Sequence, residues 1–457
     1  MTAPNAESPP AFRSRVMLRA VAAILSLLLA AAILLAGNGL QGTLLAVRGN
    51  VEGFPTALIG VMMSAYFAGF ILGCRFNPAF IKSVGHIRTF VALASIASAA
   101  ALVHPLAIEV PLWAALRAVT GFCFAGLVMI IESWINERAT NANRGRILSV
   151  YRVIDLTATM AGNALLATAD PADFQLFATV SILMSLALVP VALTRSDAPK
   201  PIATARLDVP KLFRVSPVAA VAAPMIGLAN ASFWGVGAVY AQKLGYGADI
   251  IAAFISAVIL GGALLQWPLG WLSDRIDRRM VLTGSATLGA ASALALAQFG
   301  DRGPDFVLGL GALVGAFIIP MFGIAAAHAN DLAEPGAAVE TNGGLLLLHG
   351  CGSVVGATLG AIVMSVYGPG SLFVYIAAIY VLVAAFCLAR ILATLRRAPG
   401  SKAPFTPAPV ALPNVHARVV FEDSSGAVWI GVAGSGLVRW HGGERRVDER
   451  QGEQDPA

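Results

Sequence analysis

Twelve apolar runs follow one another in this chain, each long enough to cross a lipid bilayer, and that succession constrains the fold more than any other feature. They fall at about 16–40, 56–74, 88–108, 111–135, 147–168, 173–194, 217–241, 248–272, 280–299, 305–328, 343–367 and 370–395. A hydrocarbon core about 30 Å thick needs roughly 20 helical residues to span it. The chain is 57% hydrophobic and 12% charged over 457 residues, well above the apolar content of soluble domains, about 45–50%. The pattern predicts an all-α membrane protein with twelve transmembrane helices.

The longest internal connection, 195–216, is rich in charge and in proline (Pro199, Pro201, Pro210) and too polar to span. It divides the runs six and six, which predicts two six-helix bundles, 16–194 and 217–395, related by a pseudo-two-fold axis with a cavity between them. Lysine and arginine set the orientation. With the N terminus inside, the inner loops hold Arg13, Arg15 and Arg19; Arg75, Lys82 and Arg88; Arg138, Arg144 and Arg146; five bases of the central connection; and three arginines after the eighth run. The outer loops hold only Arg48, Lys243 and Arg302, beside several acids. Both termini are therefore expected in the cytoplasm of a cell whose inner membrane holds the protein. One inner loop departs from the rule, since Asp331 and Glu334 after the tenth run have no base beside them.

Residues 1–15 read as a disordered cytoplasmic start, although Arg13, Arg15 and Arg19 before an apolar run also resemble a signal peptide. The net charge of +6 lies in turns between spans and forms no nucleic-acid patch. Cys74, Cys123, Cys351 and Cys387 show no metal-binding or paired spacing. No cofactor is expected, nor is an enzyme, since no phosphate-binding loop or catalytic triad is present. Lipid and a small-molecule solute are the expected partners, for a monomer.

The charges concentrate at one point. Gly270 to Met280, GWLSDRIDRRM, sets Asp274, Arg275, Asp277, Arg278 and Arg279 within a turn between two spans, where water or mutual pairing must accommodate them. With Gly270 four residues before Asp274, the stretch resembles the loop signature of the major facilitator superfamily. There it follows the second and the eighth helix, and here it follows the eighth run. The resemblance implies that Asp274 latches the inner gate, accepting hydrogen bonds from a neighbouring helix end and pairing with arginines; the plainer reading is a positive anchor. After the second run, Gly73, Gly85, His86 and Arg88 keep the ends of the signature, but the stretch between lacks an aspartate.

In the fourth run, Arg117 and Gly121 resemble the superfamily's fourth-helix motif, which implies a part in proton coupling; the alternative is a buried helix anchor. Glu132, Trp134, Asn136, Asn143, Arg144, Gly145, Arg146 and Tyr151, with Gly85 to Arg88 and Gly37 to Arg48, resemble the YcaD-like branch. Glu132 facing Arg144 or Arg146 is either an inner-gate pair or an interfacial salt bridge. In the fifth run Arg152 and Asp155 are one turn apart and able to neutralise each other. Asp155 is the first candidate for a coupling carboxylate, with a purely structural ion pair as its alternative.

Polar residues inside other runs are candidate cavity linings: Asn38, Gln41, Asn163, Asn230, Trp234, Gln266, His328, Asn342 and His349. Asn230 and Trp234 beside Gly235 and Gly237 predict a bend in the seventh span. Small residues every four positions, Ala65, Gly69 and Gly73 in the second span and Gly352, Gly356 and Gly360 in the eleventh, permit close helix approach. The superfamily fold implies that these two spans meet across the halves at a sliding seam.

The remainder, 396–457, is different material. Five prolines between Pro399 and Pro413 read as a flexible linker, and Phe421 to Trp440 alternates like two short strands. That stretch is similar to one repeat of a sensor-type β-propeller, too little to close one. The function expected from the whole is secondary transport of a small organic solute with protons as coupling ion, against a non-transporting sensor that signals through the tail.

Overall fold

The computed structural model describes residues 10–138, 144–193, 209–334 and 337–395, and four strand segments between 417 and 448. Side chains are described within these except at 10–24, 138, 144–146, 148, 395 and the strands. The chain forms two compact units, Met1–Arg396 and Arg397–Ala457.

The first unit is helical: α1 (Pro10–Val51), α2 (Thr56–Val84), α3 (His86–Val103), α4 (Val110–Arg138), α5 (Arg144–Ala164), α6 (Gln175–Leu186), α7 (Leu188–Ala192), α8 (Val209–Val215), α9 (Pro217–Lys243), α10 (Ala248–Ser273), α11 (Arg278–Phe299), α12 (Pro304–Ile318), α13 (Met321–Leu332), α14 (Ala338–Tyr367) and α15 (Ser371–Leu395). Of the expected disordered start, 1–15, residues 10–15 are helix and 1–9 lie outside the described residues. The first span also runs on to Val51, eleven residues past its expected end, where Thr43 bonds Asn163 and Arg48 bonds Glu52 and the Pro171 carbonyl.

Two spans are interrupted. Proline lacks the amide that closes a helical turn and clashes with the carbonyl four residues back. Pro190 thus separates α6 from α7 within the sixth span, and Pro320 separates α12 from α13 within the tenth. The seventh span, where a bend is expected, forms one continuous helix, α9, from Pro217 to Lys243 with Pro224 inside it.

Among the described residues, eleven helical stretches are long and apolar enough to cross a membrane. The twelfth span is α5, which falls short on composition because Arg144, Arg146, Arg152 and Asp155 occupy its first half. It packs on α1 and α10 all the same.

The two halves repeat one pairing scheme. The first span packs on the fifth and the seventh on the eleventh; the second on the fourth and the eighth on the tenth; the third on the sixth and the ninth on the twelfth. Glycines make these approaches possible. A Cβ on Gly162 would stand 2.0 Å from the Ala36 carbonyl oxygen, and one on Gly227 2.1 Å from that of His349. Likewise Gly121 meets Tyr66 at 2.0 Å and Gly315 meets Val258 at 1.9 Å.

The same contacts correct the expectation for the small-residue stripes. Gly69 and Gly73 face Ala118 and Phe122 of α4, while Gly352, Gly356 and Gly360 face Pro224, Leu228 and Ser232 of α9. Both stripes seal helix pairs inside a half. The second and eleventh spans do meet across the halves, through other faces: Gly60 lies against Ala357 and Ala361, and Gly350 against Ile71. The Ser64 and Thr358 hydroxyls are 2.8 Å apart, and the Thr358 amide donates to Ser64 Oγ at 3.1 Å. These contacts run from mid-span toward the end of the molecule that carries Arg48. There α10 also touches the short 3₁₀ turn Leu165–Thr168 that finishes the fifth span.

The second unit is an antiparallel four-stranded meander: β1 (Ala417–Glu422), β2 (Val428–Val432), β3 (Gly436–His441) and β4 (Glu444–Asp448), paired in sequence order. Two strands were expected. β2 and β3 are those two, whereas β1 hides behind the apolar run Val419–Phe421 and β4 behind its charges, neither of which alternates. The linker read at 399–413 lies outside the described residues.

Candidate functional site

A cavity of about 500 Å³ opens between the halves. The first half contributes Arg152, Asp155, Leu156 and Thr159 of α5, and the second contributes Asn230, Trp234, Ile259, Gln266, Ile319, Pro320, Phe322, Gly323 and His349. Arg152 is two turns from the start of α5, so the cavity reaches from mid-span toward the end that carries the Asp274 turn. Among the described residues, the α2–α14 contacts lie from mid-span toward the Arg48 end, and the cavity lies from mid-span toward the other.

Each polar side chain in the cavity has a defined situation. Arg152 Nη1 donates to Asp155 Oδ2 at 2.5 Å. The Tyr380 hydroxyl donates to Asn230 Oδ1 at 2.9 Å, and among the described residues the Asn230 amide group has no acceptor. Gln266 Oε1 is buried without a hydrogen-bond partner. Ser353 Oγ stands 3.5 Å from His349 Nδ1, and the Phe322 ring meets the imidazole edge-on at 4.8 Å. Trp234 is 38% exposed and presents its indole to the space.

Of the candidate linings, Asn230, Trp234, Gln266 and His349 fall here, joined by Arg152 and Asp155. The others do not line this cavity. Tyr66 donates to Asn38 at 3.4 Å; Asn163 bonds the Thr43 hydroxyl and the Thr159 carbonyl; Gln41 is buried with both amide atoms unpartnered; Asn342 accepts from Asn330 at 3.0 Å. His328 lies within electrostatic reach of Asp277, Arg279 and Asp331. Sequence reasoning missed Phe322 and the apolar wall, although Pro320 inside an apolar run marks a place where a span opens its backbone.

Arg117 is buried, 4% exposed, with its guanidinium 4.3 Å over the Tyr66 ring and its Nε and Nη1 without partners. Among the described residues no carboxylate pairs with it. Gly121, one turn on, serves the α2–α4 contact.

At the Asp274 end, the charged turn is organised by two forks. Arg278 donates to Asp274 at 2.9 Å and to Asp331, at the end of α13, at 2.5 Å. Arg279 pairs with Asp277 at 2.6 Å and reaches Thr394 of α15 at 3.1 Å. Asp277 also caps α11 by accepting from the Arg279 amide, and the Arg279 side-chain hydrogen bond holds its carboxyl below the ordinary carboxylate value, against the opposing effect of partial burial. Arg275 lies 3.6 Å over Trp271. Asp274 itself is two-thirds exposed. The expected bond from Asp274 to a neighbouring helix end is thus replaced by Arg278 reaching Asp331, and the turn ties spans of its own half together. Gly270 has open space around it.

The acidic loop after the tenth span also finds its bases in space. Arg278 serves Asp331, and Lys211 of α8 stands 3.5 Å from Glu334 and 3.7 Å from Glu340.

The matching turn of the first half is built differently. Gly85 takes φ of 89°, a left-handed conformation that suits glycine, and turns α2 into α3. His86 then stacks on buried Trp134 with ring centroids 6.0 Å apart. Gly73 packs on Phe122 and Ala125, and Arg88 is exposed. Glu132 is exposed and within electrostatic reach of Asp155. The side chains of Arg144 and Arg146, its expected partners, lie outside the described residues.

A family model described as Major Facilitator Superfamily matches residues 219–440, and one described as Sugar (and other) transporter matches residues 21–197. Both halves of the chain are thus similar to transporter families, and its fold is that of the major facilitator superfamily. The chain is 26% identical over 330 residues to an uncharacterized MFS-type transporter of Enterobacter sp. (strain 638), a match covering 72% of this chain and 85% of the relative. To the MFS-type transporter YcaD of Escherichia fergusonii it is 25% identical over the same shares. Its fold resembles the crystal structure of the nucleoside transporter NupG, with TM-score 0.69 at 14% identity over 81% of this chain and 99% of that one. A bacterial homolog of the lysosomal transporter Spinster, inward-facing and occupied, superposes with TM-score 0.68 at 14% identity, over 86% of this chain and 100% of that one. The chain is accordingly a multi-pass membrane transporter.

Proposed function

We propose that this protein is a secondary active transporter that carries a small organic solute across the inner membrane by alternating access, as a monomer, with protons as the coupling ion. The observation that carries the reading is the cavity lined by both halves, which lies on the Asp274 side of the α2–α14 contacts. A solute held there contacts both bundles, so rocking them about the α2–α14 seam exposes it to the other side. The excess of lysine and arginine at the Asp274 end supports placing that end, and both termini, in the cytoplasm.

Asp155 is the carboxylate best placed to couple. It stands in the cavity wall and is bonded to Arg152, so taking up a proton breaks an ion pair beside the solute. The charged turn then serves as a brace of the second half, and Arg117 with Tyr66 as a buried anchor of the first.

The test is flux in proteoliposomes over a panel of neutral, anionic and cationic solutes under an imposed pH gradient. One proton per solute allows roughly tenfold accumulation per pH unit. Asp155→Asn should keep exchange and lose accumulation, and removal of residues 397–457 should leave flux intact. Absence of saturable flux across the panel from folded protein overturns transport. Accumulation unaffected by Asp155→Asn overturns the coupling role, and flux lost with the tail favours a sensor.

A further inference from the structure

The balance of charge in the cavity points to a substrate class. We propose that the site selects solutes of no net charge that present a flat hydrogen-bonding group, such as a carboxamide or a heterocyclic lactam, on an aromatic body. The inference rests on the cavity being the transport site.

Among the described residues that line the cavity, Arg152 and Asp155 are the two ionised side chains, and they engage each other through a single N–H···O contact, Nη1 to Oδ2. An ion that leaves water for this space meets no net counter-charge from that pair, Glu132 beyond Asp155 being exposed to solvent, and desolvation of an unpaired ion is costly. The same single contact leaves hydrogen-bonding capacity unused. The other guanidinium edge offers donors while Asp155 Oδ1 offers an acceptor, side by side on α5.

The facing wall repeats that donor–acceptor theme with neutral groups. Asn230 has its oxygen occupied by Tyr380 and its amide group free, and Gln266 has a buried oxygen with no donor. Such a group left unpaired is a standing penalty that a ligand donor relieves. An amide-like edge satisfies both walls at once, whereas a carboxylate supplies only acceptors and an amidinium only donors. Trp234 and Phe322 supply the flat apolar walls between. The volume of about 500 Å³ lies in the range of small-molecule sites.

An isosteric trio tests this directly: 2-naphthamide, 2-naphthoate and 2-naphthamidine share one ring and differ in charge. Binding to the purified full chain is measured by calorimetry near neutral pH. The amide should bind roughly tenfold or more tightly than either ion. Asp155→Asn, which frees the Arg152 charge, should turn the preference to naphthoate; Arg152→Gln should turn it to naphthamidine. The double variant restores neutrality and should return the preference to the amide. Either ion binding the native protein as tightly as the amide overturns the proposal, with or without folded variants. So does an absence of binding by all three, or single variants that shift preference in the same direction. Flux of charged solutes with the wrong binding order defeats this inference alone, while loss of flux across the whole panel defeats the transport reading beneath it.

Discussion

Substitution at the α2–α14 seam should open the Arg48 end by a calculable amount. Ser64 Oγ makes two bonds across the seam, to the Thr358 hydroxyl at 2.8 Å and from the Thr358 amide at 3.1 Å. Interhelical hydrogen bonds in membranes average about 0.6 kcal/mol, so Ser64→Ala should disfavour the closed seam by about 1.2 kcal/mol. That shifts the equilibrium roughly eightfold toward the state open at the Arg48 end, whereas Thr358→Val, which removes one bond, shifts it about threefold. Gly60→Ala acts by volume. Its Cβ would stand 2.3 Å from the Ala361 Cβ and 2.7 Å from the Ala357 carbonyl oxygen, and overpacking of this kind costs about 1–3 kcal/mol, paid in the closed state alone. The assay is the distance between spin labels at Asp173→Cys and Asp301→Cys, exposed positions in the Arg48-end turns of the two halves, with the native cysteines replaced. A longer-distance population should grow in the order Thr358→Val, Ser64→Ala, Gly60→Ala. Unchanged distances in all three would refute the argument that this seam holds the closed end.

Three further outcomes follow from the packing and the ion pairs. Tyr66→Leu removes the ring beneath Arg117 and should lower stability by about 1–2 kcal/mol, the value of a desolvated cation–π contact, whereas Tyr66→Phe keeps the ring and should be nearly neutral in thermal unfolding. Arg278→Ala leaves Asp274 and Asp331 facing each other without a cation; both pairs are solvent-exposed, so the expected loss is about 1 kcal/mol and should shrink as salt is raised during unfolding. Gly121→Ala forces a Cβ to 2.0 Å from the Tyr66 carbonyl oxygen and should sharply reduce the yield of folded protein, while Gly270→Ala, which meets nothing within 4 Å, should leave both yield and flux unchanged despite its place in the loop signature.

The number of spans, the six-and-six division and the eighth-loop position were legible because lipid admits so few solutions: run length alone declares a span. Even α5 was readable as a run, although four charges in its first half disguise it from a hydropathy average. Partners were harder to read. A glycine every fourth residue declares close approach without naming the neighbour, which is why the stripe of α2 belongs to α4 and that of α14 to α9. Charge pairs across distant turns were invisible for the same reason; Asp331 looked unbalanced until the fold brought Arg278 to it. In the cavity, polar side chains inside apolar runs were the right kind of signal, but the sequence could not separate Asn230 and Gln266, which face the space, from Asn163 and Asn342, which bond neighbouring helices. The apolar wall carries no signature, since Ile259 and Leu156 look like any other residue of a span.

The two halves, alike in helix pairing, differ in what secures the turn after their second helix. Around Asp274 the fastening is a set of exposed guanidinium and carboxylate forks; around Gly85 it is an imidazole laid on a buried indole. Ionic strength weakens the first within a Debye length of about 8–10 Å at physiological salt and barely touches the second. At these two turns salt therefore acts as a dial on one side only, loosening the Asp274 turn of the second half while the Gly85 turn of the first keeps its shape.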